Sequence, residues 1–302
     1  MVVHRPLPEP ERMAPPHELR GLTNFGYTAL FGRDGPGAFE LWRLPAAGAQ
    51  LVFAEPRDGP PRLFASGPLP RAQRLLPSRG PIRAAGIELR PAATSLLLGG
   101  IAASIQGQPA VPLAELWGQA ALELTHRLGR APPGARPAIL FEALEQRMRR
   151  EPPANVLVVA AVELIETTAG TMRMDRIAER IGVTTRHLLR LFDRHVGCSP
   201  KQVARLARFA RLRSHLAGSA AIDWAGLAAE LGYADQSHLI ADFRRLLGET
   251  PEQFLSRPLQ QRALDLGWLI RLQLGAKPSP ELVQPAAFAG ASCRSSWENC
   301  SR

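Results

Sequence analysis

The sequence predicts an α+β N-terminal domain followed by an all-α domain with two helix-turn-helix units. Strand-like apolar runs fill roughly the first 90 residues, helical periodicity begins near Thr94, and an internal repeat with an offset of about 50 residues follows residue 152. At 302 residues and 45% hydrophobic composition, the chain can bury more than one core. We expect domains at 1–151 and 152–257 and a disordered tail at 258–302, with one weak helical patch at 264–274.

Short apolar runs separated by proline and glycine predict the β-rich part of the N-terminal domain. These runs are FGYTALF, FELWRL, QLVFAEP, RLFASG and AGIELRP. Apolar residues at helical spacing then predict one amphipathic helix over 113–128 and another over 139–148. Paired prolines at 152 and 153 interrupt a helix, so the sequence places the domain boundary at 151–153.

Cysteine use and hydropathy indicate a soluble cytoplasmic protein. Cys198, Cys293 and Cys300 are too few and too unevenly spaced for a disulfide framework or a metal clip. The first residues are interrupted by prolines and lack the apolar run of a signal peptide. The longest apolar stretches fall short of the ~20 residues that span a bilayer, so we expect no membrane segment.

Positive charge is concentrated in one part of the helical domain. The chain has a net charge of +10, and residues 173–213 hold eleven basic and three acidic residues. Residues 214–257 hold three basic and six acidic residues. An anionic partner would therefore contact mainly the first of these segments.

The repeat carries the spacing of a helix-turn-helix in each copy. RHLLRLFDRHVGCSP at 186–200 aligns with SHLIADFRRLLGETP at 237–251, and IAERIG at 177–182 aligns with LAAELG at 227–232. Ala178 and Ala228 would allow two helices to cross closely. Gly182 and Gly232, four residues later, would adopt the positive φ of the turn.

Capping residues define the helices that follow these turns. Thr184 or Thr185 can cap the second helix of the first copy, and Asp235 can cap its counterpart. Ser199, Pro200 and Gly218 predict a connecting helix of about 17 residues, which would be ~25 Å long. A spacer of that length could hold two exposed helices about one DNA turn, ~34 Å, apart.

These motifs resemble the AraC/XylS family of transcription regulators. The resemblance is carried by LAAELGYADQSHLIADFRRLLGETPEQFL at 227–255 and by IAERIGVTTRHLLRLFDRHVGCSPKQ at 177–202, and it covers roughly 100 residues. It implies a module that inserts two recognition helices into successive major grooves of promoter DNA. GIELRPAATSLLLGG and VPLAELWGQAALEL are similar to the sensor domains that precede some such modules. The implied partners are double-stranded promoter DNA, a small-molecule effector, RNA polymerase, and a second copy bound through the N-terminal helices.

Residues on the early turns of the recognition helices, together with flanking basic residues, are the candidates for DNA contact. They are Thr184, Thr185, Arg186, Leu189, Arg190, Arg194, Gln236, Ser237, Ile240, Arg244 and Arg245. By its position in the family motif, either Arg186 or Arg190 could read a base or hold a phosphate. Ala241 stands where family members often have arginine, so we expect the second unit to position the protein more than it reads sequence.

Other functions receive little support from the sequence. No GxSxG, HExxH, P-loop or Rossmann motif occurs, and His187 and His238 lack a second ligand at helical spacing, so we expect no catalysis, cofactor or metal. Cys198 is read as structural rather than redox-active, and Trp117 as a core anchor, with a dimer seam or ligand pocket as the alternative. A catalytic N-terminal half and a helical domain that binds protein remain the two rival hypotheses. The operator, the effector and the sign of regulation stay open.

Overall fold

A computed structural model describes residues 10–256 and 268–272, apart from gaps at 33–38, 75–79, 100–101, 103–104, 108–109, 151–153 and 219–221. Residues 1–272 form one compact unit. The prediction of a disordered tail at 258–302 falls outside the described residues, except at 268–272.

The N-terminal part is built on a six-stranded antiparallel sheet with the order β1-β2-β7-β4-β5-β8. A second antiparallel sheet has the order β6-β3-β9. The strands are β1 Glu11–Met13, β2 Thr23–Phe31, β3 Phe39–Arg43, β4 Gln50–Pro56, β5 Arg62–Ser66, β6 Gln73–Arg74, β7 Ile82–Leu89, β8 Val111–Pro112 and β9 Trp268–Leu272. The five predicted strand segments are therefore confirmed as β2, β3, β4, β5 and β7, whereas the four shorter or later strands were not predicted.

Alternation along the strands divides the large sheet into two buried faces. On one face, Leu51 and Phe53 of β4 pack with four helices. These helices are α1 Thr94–Leu98, α2 Leu113–Trp117, α3 Gln119–Arg130 and α4 Arg136–Met148. On the other face, Val52 of β4 packs with Tyr27, Phe31 and Leu41. The sheet is thus covered by helices on one side and by β3 on the other.

The helix predicted over 113–128 is in fact two helices. α2 ends and α3 begins at Gly118, whose φ of 57° lies in the left-handed region and cannot continue an α-helix. Apolar periodicity runs across this break because both helices turn an apolar side toward the same core. The prediction of a single helix was therefore wrong.

The helical part contains seven helices within the described residues. They are α5 Val156–Thr167, α6 Met174–Arg180, α7 Thr185–His195, α8 Pro200–Gly218, α9 Trp224–Glu230, α10 Gln236–Leu247 and α11 Pro251–Leu255. α8 has 19 residues, two more than predicted, and is ~28 Å long. Among the described residues, no helix combines the length and apolar character needed to cross a bilayer.

Two separate apolar cores stabilise the helical part, and α8 contributes to both. Val203 and Ala204 of α8 pack with α5, α6 and α7. Phe209 and Leu216 of α8 pack with α9, α10 and α11. Each half of the repeat thus has a core of its own, and the connecting helix joins them.

The weak helical patch predicted at 264–274 is also corrected. Residues 268–272 form β9, which pairs antiparallel with β3, and Trp42 lies opposite Leu269. The segment reads WLIRL, and its aromatic and β-branched residues favour a strand once an edge strand is available for pairing.

Candidate nucleic-acid interface

The first repeat copy folds as a helix-turn-helix made of α6 and α7. The turn between them contains Gly182, whose φ is 72°. The amide of Val183 donates to the carbonyl of Ala178 at 2.9 Å, which closes the turn, and Ala178 is only 2% exposed. The predicted close crossing at Ala178 is therefore confirmed.

The second copy repeats this geometry in α9 and α10. Gly232 has a φ of 71°, and the amide of Tyr233 donates to the carbonyl of Ala228 at 2.9 Å. Ala228 is 1% exposed. The sequence repeat at an offset of 50 is thus a structural repeat, with the same hydrogen bond and the same backbone conformation at the turn.

Side chains cap the N-termini of both second helices. Thr184, rather than Thr185, is the N-cap of α7, and its hydroxyl accepts a hydrogen bond from the amide of His187 at 3.2 Å. The carboxylate of Asp235 accepts from the amide of His238 at 2.7 Å. These caps fix where each helix begins, and therefore which residues lie on its first exposed turns.

The exposed face of α7 is strongly basic. Arg186, Arg190 and Arg194 are exposed, while Leu188 and Phe192 point into the core. Arg190 contacts the Nδ1 atom of His187 at 3.4 Å. Among the described residues, no carboxylate forms an ion pair with these three arginines, so their guanidinium groups are available to an anionic partner.

Leu189 is the apolar member of the same face and is 48% exposed. It lies between Arg186 and Arg190 on the exposed side of α7. In a DNA groove, such a side chain can contact the methyl group of thymine, as other apolar side chains do.

The corresponding face of α10 carries less charge. Gln236, Ser237 and Ala241 are exposed, and Ile240 is partly buried. Arg244 is exposed, whereas Arg245 lies 3.5 Å from the carboxylate of Asp242. The exposed faces of α7 and α10 therefore differ chemically although their backbones are repeated.

A buried polar cluster that the sequence reasoning missed holds α10 against α8. Asp242 is 4% exposed, and Arg205 of α8 lies 3.1 Å from its Oδ1 atom. The hydroxyl of Tyr233 donates to its Oδ2 atom at 3.1 Å. Arg208 stacks on the Tyr233 ring at 5.2 Å from the centroid. Burial and the neighbouring carboxylate raise the pKa of Tyr233, so this phenol remains protonated and donates.

The repeat alignment held the signal for this cluster. At the offset of 51, Asp242 lies opposite Leu191 of the first copy, which is 9% exposed and apolar. A charged residue at a core position requires partners, because an isolated buried charge is strongly disfavoured. Searching the neighbouring helices for a basic residue would have indicated Arg205.

Close backbone contacts fix the two helix-turn-helix units relative to each other. A Cβ atom added to Gly232 would lie 2.6 Å from Cγ2 of Thr171, in the loop before α6. A Cβ atom added to Gly170, in the same loop, would lie 2.1 Å from the carbonyl oxygen of Ala204 in α8. The loop before α6 therefore packs against both α8 and the second turn.

The N-terminal part also contacts α5, which packs against the first unit, and α10 of the second unit. The guanidinium group of Arg90, just after β7, donates to the carboxylate of Glu166 in α5. Burial raises the pKa of Glu166, although Arg90 opposes that shift. Near the second unit, the amide of Ala72 donates to the carbonyl of Leu246, at the end of α10, at 2.7 Å.

Two minor site hypotheses have structural outcomes. Cys198 is 4% exposed, and burial raises its pKa to about 12, which fits the structural role predicted for it. Within the described residues, no group of histidine, cysteine and carboxylate side chains is placed to hold a metal ion.

Comparison with known proteins identifies the helical part. Residues 177–257 match a family described as "Helix-turn-helix domain". No curated protein matches the sequence. Solved structures of ToxT from Vibrio cholerae are similar over most of the chain. The O395 crystal structure has 12% identity and a TM-score of 0.36, and it covers 82% of this chain and 96% of its own.

A second ToxT structure, bound to an unsaturated fatty acid, has 11% identity and a TM-score of 0.35, and it covers 83% of this chain and 97% of its own. The family match covers both helix-turn-helix turns together with α7, α8 and α10. Residues 177–257 therefore carry a helix-turn-helix domain of the AraC type, a kind of domain that binds DNA in transcription regulators.

Proposed function

We propose that the chain is a sequence-specific regulator that places α7 and α10 in successive major grooves near a promoter. The basic, capped and unpaired face of α7 carries this proposal. Its three exposed arginines suit a polyanion, and arginine paired with guanine is the commonest specific contact in the major groove. The ~28 Å length of α8 is compatible with two helices about one DNA turn apart.

The two helices contribute unequally to this function. Arg186 and Arg190 read bases, with Leu189 against an apolar base edge, and Thr184, Thr185 and Arg194 hold the backbone. In α10, Gln236, Ser237 and Ile240 face the second groove, with Arg244 and Arg245 near phosphates. Because Asp242 already engages Arg245, the second helix positions the protein more than it discriminates between sequences.

Selection of bound sequences from a random DNA pool, using the full chain, would define the operator. Arg190→Ala should then weaken operator binding about tenfold or more, since one bidentate base contact contributes ~1–3 kcal/mol. Binding to unrelated DNA should change much less. Arg149→Ala, which removes an exposed arginine of the N-terminal part, is the matched control and should leave both affinities unchanged.

Three results would contradict the proposal. Selection might enrich no sequence, Arg190→Ala and Arg149→Ala might have the same effect, or binding might not weaken with salt. Several phosphate contacts require a log-log salt slope of about −0.9 per contact. If the affinity for DNA does not change with salt concentration, the rival hypothesis, in which the helical domain binds protein, is favoured. Turnover of a small molecule would favour the other rival hypothesis, a catalytic N-terminal half. Equal losses from mutating either operator half would contradict the unequal roles of α7 and α10.

We further propose that residues 1–151 bind a small-molecule effector and that 152–257 bind DNA. A buried polar cluster on the β3 side of the large sheet supports the first part. Arg43 is 3% exposed and donates to the carbonyl of Gly67 at 2.9 Å. Its Nε atom, Gln50 Oε1 and Ser66 Oγ have no hydrogen-bond partner among the described residues. Gln50 and Ser66 face each other on β4 and β5.

Burial lowers the pKa of Arg43 to about 10, so it keeps its charge at neutral pH. An unpaired guanidinium donor, an unpaired amide acceptor and an unpaired hydroxyl suit a polar effector that carries both hydrogen-bond donors and acceptors, because buried polar groups require partners. A metabolite that raises the melting temperature of the wild-type chain but not of Ser66→Ala would support this site. A ligand that stabilises both proteins equally would contradict it.

The remaining proposed partners are a second copy of the chain and RNA polymerase beside the promoter. Leu122 on α3 is 54% exposed, and an exposed leucine on a helix suits contact between two N-terminal parts. Leu122→Glu should then lower the mass measured by light scattering, and an unchanged mass would contradict this contact. A cytoplasmic location follows from the proposal, since bacterial promoter DNA lies there.

A further inference from the structure

Residues 44–49 join β3 to β4, and their side chains reach three apolar cores. Leu44 is 1% exposed and lies in the core of the second helix-turn-helix unit, together with Phe209 of α8. Ala47 packs against that core and also against the core of the first unit. Ala49 belongs to the core between the large sheet and helices α1 to α4. We call residues 44–49 the junction segment, because it contacts both units and the N-terminal part.

Backbone contacts hold the junction segment on the N-terminal part. Ala46 and Leu69 exchange hydrogen bonds between their amides and carbonyls, with N–O distances of 3.0 and 2.8 Å. The amide of Leu89 donates to the carbonyl of Ala49 at 2.9 Å. A Cβ atom added to Gly48 would lie 1.9 Å from the carbonyl oxygen of Leu89, so the chain passes directly against the end of β7. The segment is therefore tied to the N-terminal part on both sides of its contact with the units.

Other residues of the N-terminal part also enter the cores of the two units. Ala92, just after β7, is 2% exposed and lies in the core formed by α5, α6 and α7. Ala72 packs against the core of the second unit. Because packed protein interiors leave few voids, side chains seated in both cores restrict how the two units move relative to each other. The N-terminal part thus adds a connection between units that α8 and the loop before α6 already join.

We infer that the junction segment sets the separation of α7 and α10, and with it the spacing of the operator halves that the chain accepts. Leu44 is a positioning residue, which acts through the core of the second unit. This inference rests on the proposed placement of α7 and α10 in successive major grooves. Neighbouring base pairs are ~3.4 Å apart along the duplex, so a change of that size in the separation would alter the preferred spacing by one base pair.

A distance measurement without DNA tests the first part of the inference. Nitroxide labels on Asp193→Cys in α7 and Glu252→Cys in α11, both exposed positions, report the separation of the units in the full chain by double electron–electron resonance. Cys293 and Cys300 are replaced by serine, and Cys198 is buried. Leu44→Ala removes buried atoms from the second core. It should broaden or shift the distance distribution by about one base-pair step, ~3.4 Å.

Leu41→Ala is the matched control for this measurement. Leu41 is 6% exposed, lies on β3, and packs with Tyr27 and Val52 rather than in the core of either unit. Both variants remove the same atoms from a buried position, so both should lower the melting temperature. The distance distribution should change only in Leu44→Ala. Leu44→Met keeps most of the apolar volume and should retain the wild-type distribution.

Operators with one base pair inserted or deleted between the two halves test the second part. The wild-type chain should bind them about tenfold more weakly than the selected operator, because only one recognition helix then fits its groove. Leu44→Ala should lose about threefold at most, since its units adapt to the altered spacing. Leu41→Ala should discriminate between spacings as the wild type does.

Two results would overturn the inference. Leu44→Ala could show the wild-type distance distribution, or it could discriminate between spacings as strongly as the wild type. If Leu44→Ala does not fold, Leu44→Val, which removes a single methylene, undergoes the same two measurements, and wild-type behaviour in either one overturns the inference. If the chain selects no DNA sequence, the proposed function fails, whereas the distance measurement still decides whether the junction segment positions the two units.

Discussion

Replacing Asp242 with alanine should destabilise the second helix-turn-helix unit by about 2–4 kcal/mol. The Tyr233 hydroxyl would lose its acceptor in a buried position, which costs ~1–3 kcal/mol. Arg205 is 32% exposed and Arg245 54% exposed, so both regain water and their ion pairs contribute only about 0.5–1 kcal/mol together. The unpaired phenol therefore accounts for most of the loss.

Urea unfolding of the full chain, followed by far-ultraviolet circular dichroism, measures this effect. Asp193→Ala on α7 is the matched control, because Asp193 is exposed and such surface changes usually stay within about 0.5 kcal/mol. The double variant with Tyr233→Phe isolates the phenol, since it removes the group that Asp242→Ala would leave without a partner. It should be more stable than Asp242→Ala alone by at least ~1 kcal/mol.

Two outcomes would refute this reasoning. Asp242→Ala could match Asp193→Ala in stability, which would mean that the buried carboxylate contributes nothing. Alternatively, the losses from Asp242→Ala and Tyr233→Phe could simply add, which would mean that the hydrogen bond between them is not the source of the stability.

Three further outcomes are expected. Gly182→Ala should lower the free energy of unfolding by ~1–2 kcal/mol, because its positive φ is unfavourable for alanine. Gly232→Ala should lower it by about 1 kcal/mol more, because the added Cβ would also meet Thr171. Equal melting temperatures of the two variants would contradict the contact with Thr171. Because burial raises the pKa of Glu166, this group's contribution to the free energy of unfolding falls as pH rises from about 4.5 through the raised value. Glu166→Gln should therefore gain stability relative to wild type as the pH rises above about 4.5, and a difference that does not change with pH would disprove the shift. Native Cys198 should react slowly with iodoacetamide at neutral pH, as mass spectrometry of its peptide can check; rapid alkylation would argue against a raised thiol pKa.

The helix-turn-helix units could be predicted from sequence because each depends on a few residues with strict local requirements. Ala178 and Gly182 recur as Ala228 and Gly232, and a close crossing followed by a positive φ allows few other residue types. Thr184 could not be separated from Thr185 in advance, because both can cap and the choice depends on where the turn ends.

Contacts between segments that lie far apart in the sequence could not be predicted from local sequence patterns. β9 pairs with β3, which lies more than 200 residues earlier in the sequence. The break between α2 and α3 at Gly118 could not be seen in the sequence, because the apolar periodicity continues on both sides of it. The Asp242 cluster depends on Arg205, 37 positions earlier, and no short motif links the two residues. The exposure of the α7 arginines, by contrast, followed from helical geometry alone, because they lie opposite the buried Leu188 and Phe192.

Because α8 contributes side chains to both helical cores, neither repeat unit can be replaced by a unit from another protein without disturbing the packing of α8. One side of that helix fits the first unit, and residues farther along it fit the second. In a chimera that contains one unit from another regulator, half of α8 would pack against side chains that do not fit it. Evolution of new operator preferences in such a molecule should therefore proceed by single substitutions on the outward faces of α7 and α10 rather than by exchange of whole units.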